Sequence, residues 1–196
     1  MRRFAIAAAL SLAALSAAPA VAASSVMIDP DTRQPMAFAP AIASARPQAA
    51  AIPREVVDFT GAYAPGTVVV DTGARRLYYV LPGRQAIRYG IGVGRPGFEW
   101  AGSPHITRKQ EWPDWRPPEQ MLRRRPDLPR FMAGGPDNPL GARALYLGSS
   151  LYRIHGSNEP HTIGQAVSSG CIRMLNDDVV DLYNRVQVGT RVIVLR

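Results

Sequence analysis

The sequence predicts a mainly β domain: a sandwich or barrel-like mixed sheet, one short helix towards the end, and a long loop rich in proline and tryptophan. Three observations carry this expectation. Runs of β-branched and aromatic residues follow one another between residues 68 and 111, separated by glycine and proline turns with no helical crossover between them. Such spacing argues against a parallel α/β sheet and for closely connected strands. Residues 111–138 hold too many prolines for one regular element, and apolar residues recur at helical spacing after Asn176.

Taken in order, residues 1–23 read as an export signal. Met1-Arg2-Arg3 precedes an apolar run over residues 4–18 and the small-residue site Ala20-Val21-Ala22. The run is short for a membrane span and its tail is alanine and proline, so no span is expected after cleavage. Residues 24–60 are rich in alanine and proline, which predicts a flexible linker. The folded domain is expected over residues 61–196.

Within that domain, residues 68–70 and 75–81 form a hairpin around Asp71-Thr72-Gly73-Ala74. Residues 86–93 supply a third strand and residues 106–111 a fourth. Pro118 is placed to open a short helix inside the proline-rich loop, and Trp112, Trp115 and the run Arg123-Arg124-Arg125 make that loop a candidate lid over a binding site. The alternative is that the tryptophans only pack the loop onto the sheet. A turn at Asp137-Asn138-Pro139 leads into a strand at 142–147, and Ser149-Ser150 closes a hairpin into the strand that ends at His155. Asn176 is expected to cap a helix with Asp177 and Asp178 in its first turn and Val179, Leu182, Tyr183 and Val186 on one face. Residues 191–195 form a last strand.

Composition narrows the partners. The formal charge is +8 and all the basic side chains but Lys109 are arginine. Apart from residues 123–125 they are scattered, which disfavours nucleic acid and suits an anionic partner such as a polymer bearing carboxylates. A single cysteine permits no internal disulfide.

That cysteine lies in the most informative stretch, residues 151–175, LYRIHGSNEPHTIGQAVSSGCIRML. A lone cysteine is more often a small buried hydrophobe than a nucleophile. Here it follows glycine in a polar turn, and His155 ends a strand just before Gly156. Imidazole is the side chain best suited to take a thiol proton near neutral pH, so Cys171 and His155 have the chemistry of acyl transfer. The amides of Ser169, Gly170 and Cys171 are candidates to hold an oxyanion, with Ser168 serving the turn. Arg173, two residues beyond the thiol, shares its face in a strand; it either binds a substrate carboxylate or braces the turn. His161 and His105 read as exposed or structural. A zinc site from His155, His161 and Cys171 lacks a fourth ligand and a familiar spacing, so no metal is expected.

The HG…SxGC-Ile-Arg arrangement, about fifteen residues apart, resembles the L,D-transpeptidases of the YkuD domain family. The upstream runs IGVGRPGFEW, EWPDWRPP and MAGGPDNPLGARALYLG resemble the same family's lid and strand segments. The resemblance covers roughly residues 67–196 and implies a YkuD-like fold in which Cys171 is the nucleophile and His155 the base. It implies a periplasmic enzyme acting on peptidoglycan stem peptides through a cysteine thioester. Its products would be 3→3 cross-links or a protein, such as an outer-membrane protein, attached to peptidoglycan. It also implies no cofactor and inhibition by carbapenems. Gly156, Ser168, Ser169 and Gly170 fall at the motif's turn positions, and Trp112, Trp115 and Arg173 where substrate would bind. Many members carry histidine where this chain has Ser169. A hydrolase using water as acceptor and a wall-binding module without turnover are the competing readings.

Overall fold

The computed structural model describes residues 52–196, together with the backbone of two short paired strands, β1 (Met27–Ile28) and β2 (Pro35–Met36). The expected signal segment and most of the expected linker lie outside the described residues.

Two sheets make the domain. In the first, the strand order is β13-β4-β5-β6-β3, from Val192–Leu195, Val68–Asp71, Arg76–Leu81, Gln85–Gly90 and Glu55–Asp58. Its antiparallel centre is the expected hairpin extended by β6. In β4 the three valines are all buried, because both faces of this sheet are covered. Val68 and Val70 face the main core, while Val69 packs on the other side with Val80, Ile193, Phe59 and Tyr63. An uninterrupted β-branched run is what a strand covered on both sides calls for.

The second sheet runs β12-β10-β9-β8, from Ile172–Arg173, Arg153–His155, Arg143–Leu147 and Ile106–Glu111. A two-stranded parallel ladder joins β7 (Val93–Gly94) to β11 (Ala166–Ser168) beside it. Leu77, Tyr89 and Ile91 from the side of the first sheet meet Leu145, Leu147, Ile154 and Ile172 of the second, and helix α2 (Asn176–Arg185) adds Val179 and Leu182 to the same core. The Tyr89 hydroxyl donates to Asp181 of α2 at 2.6 Å, with burial and that carboxylate pushing the phenol pKa up. The helix is thereby tied to the sheet as well as packed on it.

The mainly β mixed architecture matches the sequence expectation, with three differences in detail. Strand β3 lies in the stretch read as linker and pairs antiparallel with β6. The expected strand at 86–93 is broken at Ile91 and Gly92, where Gly92 exchanges both backbone hydrogen bonds with Arg173 instead. Asn176 does not cap α2: Leu175 takes that position and makes no side-chain cap bond. The proline-rich segment contains α1 (Glu119–Arg124), which begins directly after Pro118. Around it Trp115, Met121, Leu128 and Leu140 form a small core of their own.

Candidate active site

The site is built on the parallel pairing of β10 with β12. Ile154 stands opposite Ile172, and His155 opposite Arg173. Side chains alternate along a strand, so Ile154 and Ile172 point together into the core and leave the other face to their neighbours. Continuing the pattern by one residue sets Cys171 against Arg153. These four side chains, Cys171, Arg153, His155 and Arg173, line one cleft of about 380 Å³. Its far walls come from the lid, through Trp115, Met121 and Arg124, and from Phe98. A second cleft of about 430 Å³ shares Phe98 with it and is lined by Gly170, but neither Cys171 nor His155 lines that one.

His155 is buried, at 4% exposure, and its Nδ1 lies 2.6 Å from the carbonyl oxygen of Gly156. A carbonyl oxygen only accepts, so the neutral ring carries its proton on Nδ1 and its lone pair on Nε2. Cys171 is partly exposed, and its Sγ lies 3.9 Å from the Leu151 carbonyl oxygen.

The turn before the thiol is fixed by one buried hydroxyl. Ser168 Oγ donates to the Cys171 carbonyl at 2.6 Å and accepts from the Gly170 N–H at 3.1 Å. That removes one member of the expected donor set for an oxyanion: the Gly170 amide is committed to the turn. Glycine is required at position 170 itself. Its φ is +106°, and a Cβ there would come within 2.5 Å of the Tyr152 ring. Tyr152 in turn stacks on Trp100 at 4.5 Å, whose indole N–H donates to the Gly170 carbonyl at 2.7 Å. Ser169 Oγ accepts from Arg95 Nη1 at 3.2 Å.

Other expected residues are sorted by the structure. Trp115 is buried and lines the cleft, whereas Trp112 does not line it and is 45% exposed. The lid's indole at the site is thus Trp115 alone. Arg173 is 1% exposed and its guanidinium pairs with Glu159, itself 4% exposed, at 3.1 Å, so its charge is met by an acid of the protein. His161 sits in a 3₁₀ turn at Pro160–Thr162 and is exposed.

Three residues that matter here were not read from the sequence as part of the site. Trp100 and Tyr152 form the wall just described. Asn176 is the third: its Oδ1 accepts from the N–H groups of Ala142 at 3.0 Å and Ser157 at 3.2 Å. The Ser157 N–H belongs to the same peptide unit as the Gly156 carbonyl that holds His155, so Asn176 fixes that unit from its other end. Gly156 is glycine because a Cβ would overlap Asn176 Oδ1 outright. Asn176→Ala leaves two N–H groups without their acceptor and is expected to lower the unfolding free energy by about 1–3 kcal/mol. Asn176→Asp keeps the oxygen and should restore most of it, as urea denaturation will show.

The family model for the L,D-transpeptidase catalytic domain, YkuD, matches residues 65–194. The chain belongs to this family. Among relatives, the probable L,D-transpeptidase ErfK/SrfK of Escherichia coli K12 is 42% identical over 134 residues, which are 64% of this chain and 42% of that protein. The chain therefore spans less than half of that relative's length. Among solved structures, an L,D-transpeptidase from Mycobacterium smegmatis superimposes with a TM-score of 0.55 at 20% identity, covering 68% of this chain and 59% of that one, and so shares the fold. A Brucella melitensis protein solved as a probable carnitine operon oxidoreductase is 48% identical, with a TM-score of 0.50, over 73% of this chain and 93% of that one.

Proposed function

We propose that this L,D-transpeptidase family member is an exported cysteine acyltransferase acting on peptidoglycan stem peptides, with Cys171 as nucleophile and His155 as base. The observation that carries the reading is the contact of His155 Nδ1 with the Gly156 carbonyl oxygen. With Nδ1–H given to the Gly156 carbonyl at 2.6 Å, Nε2 is the basic nitrogen of a ring that lines the same cleft as the thiol. Nε2 takes the thiol proton and the thiolate attacks the carbonyl of the L-centre that precedes a terminal D-alanine. The amides of Ser169 and Cys171 hold the resulting oxyanion; each such donor is typically worth about 2.7–4 kcal/mol in the transition state. His155 returns its proton to the departing amine as the C–N bond breaks and a thioester remains. An acceptor amine then attacks the thioester, gives up its proton to His155, and regenerates the thiolate.

The acceptor is an amine of a second stem peptide or of a protein to be attached to the wall, which sets the product as a 3→3 cross-link or an anchored protein. Location in the periplasm follows from the export signal read at residues 1–23. Among the described residues no helix is long and apolar enough to cross a membrane.

A carbapenem incubated with the protein is expected to add its full mass to Cys171, read by intact-mass analysis and peptide mapping. Folded protein without an adduct would overturn the assignment. Incubation with tetrapeptide muropeptides then distinguishes transfer from hydrolysis, since only transfer gives cross-linked dimers.

A further inference from the structure

The outer face of the second sheet carries a row of side chains that starts at Cys171. Arg153 stands opposite Tyr146 on β9, and Arg108 stands opposite the same Tyr146 on β8. Continuing the β10–β12 register puts Cys171 at the other end, one strand spacing, about 4.8 Å, from Arg153. The row therefore reads Cys171, Arg153, Tyr146, Arg108. Both guanidinium groups rest on the one ring, with Arg153 Cζ 5.1 Å and Arg108 Cζ 3.7 Å from its centroid.

What sets these arginines apart is the absence of compensation. Arg173, which lines the same cleft, is neutralised by Glu159. Arg153 and Arg108 make no ion pair with any described residue, and Arg153 Nε is buried with no hydrogen-bond partner among them. No aspartate or glutamate lines the cleft. A guanidinium oriented by an aromatic face beside a reactive thiol, in a cleft without acids, is suited to a planar anion held by a two-pronged hydrogen bond.

We propose that Arg153 is a specificity-determining residue that binds a carboxylate of the acyl-donor peptide, on the residue whose carbonyl Cys171 attacks, with Arg108 continuing the anionic track outward across the sheet. This rests on the acyltransfer reading above and extends it: Arg153, not Arg173, reads the substrate's charge. Tyr146 holds the guanidinium in place and makes the site stiffer than a lone arginine on the surface.

The test uses the Cys171→Ala protein, so that no turnover intervenes, and two synthetic tetrapeptides with diaminopimelate at the third position. One carries the side-chain carboxylate free and the other has it as the primary amide. By calorimetry the free acid is expected to bind about 10- to 100-fold more tightly than the amide, the range for a hydrogen bond between charged groups. Adding Arg153→Gln should erase that ratio while leaving affinity for the amide within about twofold. If Arg153→Gln lowers the melting temperature, Arg153→Lys supplies the comparison: charge is kept but the fork is lost, and the ratio should fall several-fold. Equal affinity for acid and amide in the parent protein overturns the proposal, as does an equal loss for both peptides on substitution. Failure of the acyltransfer reading shows separately, as wild-type protein that takes no carbapenem adduct yet still prefers the acid.

Discussion

Cys171→Ala will abolish acyl transfer and the carbapenem adduct together, a drop in turnover of about 10⁴-fold or more, comparable with removal of the nucleophile in serine hydrolases. The thiol is the only one in the sequence, so no other group can form the thioester. Because Cys171 is partly exposed at the rim of the cleft, alanine there removes little buried volume and the melting temperature should hold within a few degrees. His155→Ala should lose roughly 10³-fold, since a thiol retains some nucleophilicity without its base. Stopped-flow acylation by a carbapenem and muropeptide product analysis measure both. A Cys171→Ala protein that still yields cross-linked dimers would sink the mechanism.

Glu159→Leu will produce the largest expected loss of stability. Glu159 is 4% exposed and Arg173 1% exposed, and they meet at 3.1 Å. Taking away one partner of a buried pair leaves the other charge desolvated, at a cost of about 3–5 kcal/mol, or about 10–20 °C in melting temperature for a domain of this size. Replacing both residues by apolar side chains of similar volume should recover half or more of that, because the desolvation penalty disappears with the charges. Thermal denaturation of the two proteins decides it. A single variant that melts with the wild type would show that the pair contributes nothing. The pair matters to function because Arg173 is the residue β12 shares with His155 in register. Loosening it should disturb the alignment of thiol and imidazole before the fold is lost.

The contrast between Arg173 and Arg153 shows what the sequence could and could not reveal. Alternation along a strand, a local rule, puts Arg173 on the face of Cys171 and Arg153 on the face of His155. Which of them is neutralised depends on Glu159, fourteen residues from Arg173 on a loop whose path no local pattern encodes. That Cys171 and His155 line one cleft was legible as an expectation because the motif packs candidate nucleophile, candidate base and glycine turn into one short span. Asn176 was misread for the opposite reason. Its surroundings favour a helix cap, but tertiary contact with Ala142 and Ser157 claims its oxygen. The long strands were legible from their β-branched runs. Strands β11 and β12 escaped detection because two or three residues are too few to show a period.

The same holds for the chain's most remote pairing. Strand β13 lies parallel to β4, matching Val192 with Val68 and Leu195 with Asp71, and nothing in either segment announces the other. Polypeptide emerging from a ribosome, amino end first, exposes the three valines of β4 long before their neighbour arrives. Closing so large a loop is slow. The first sheet therefore stays open along that edge until residues 192–195 are available to pair, and a chaperone that shields hydrophobic strands would find its binding site there.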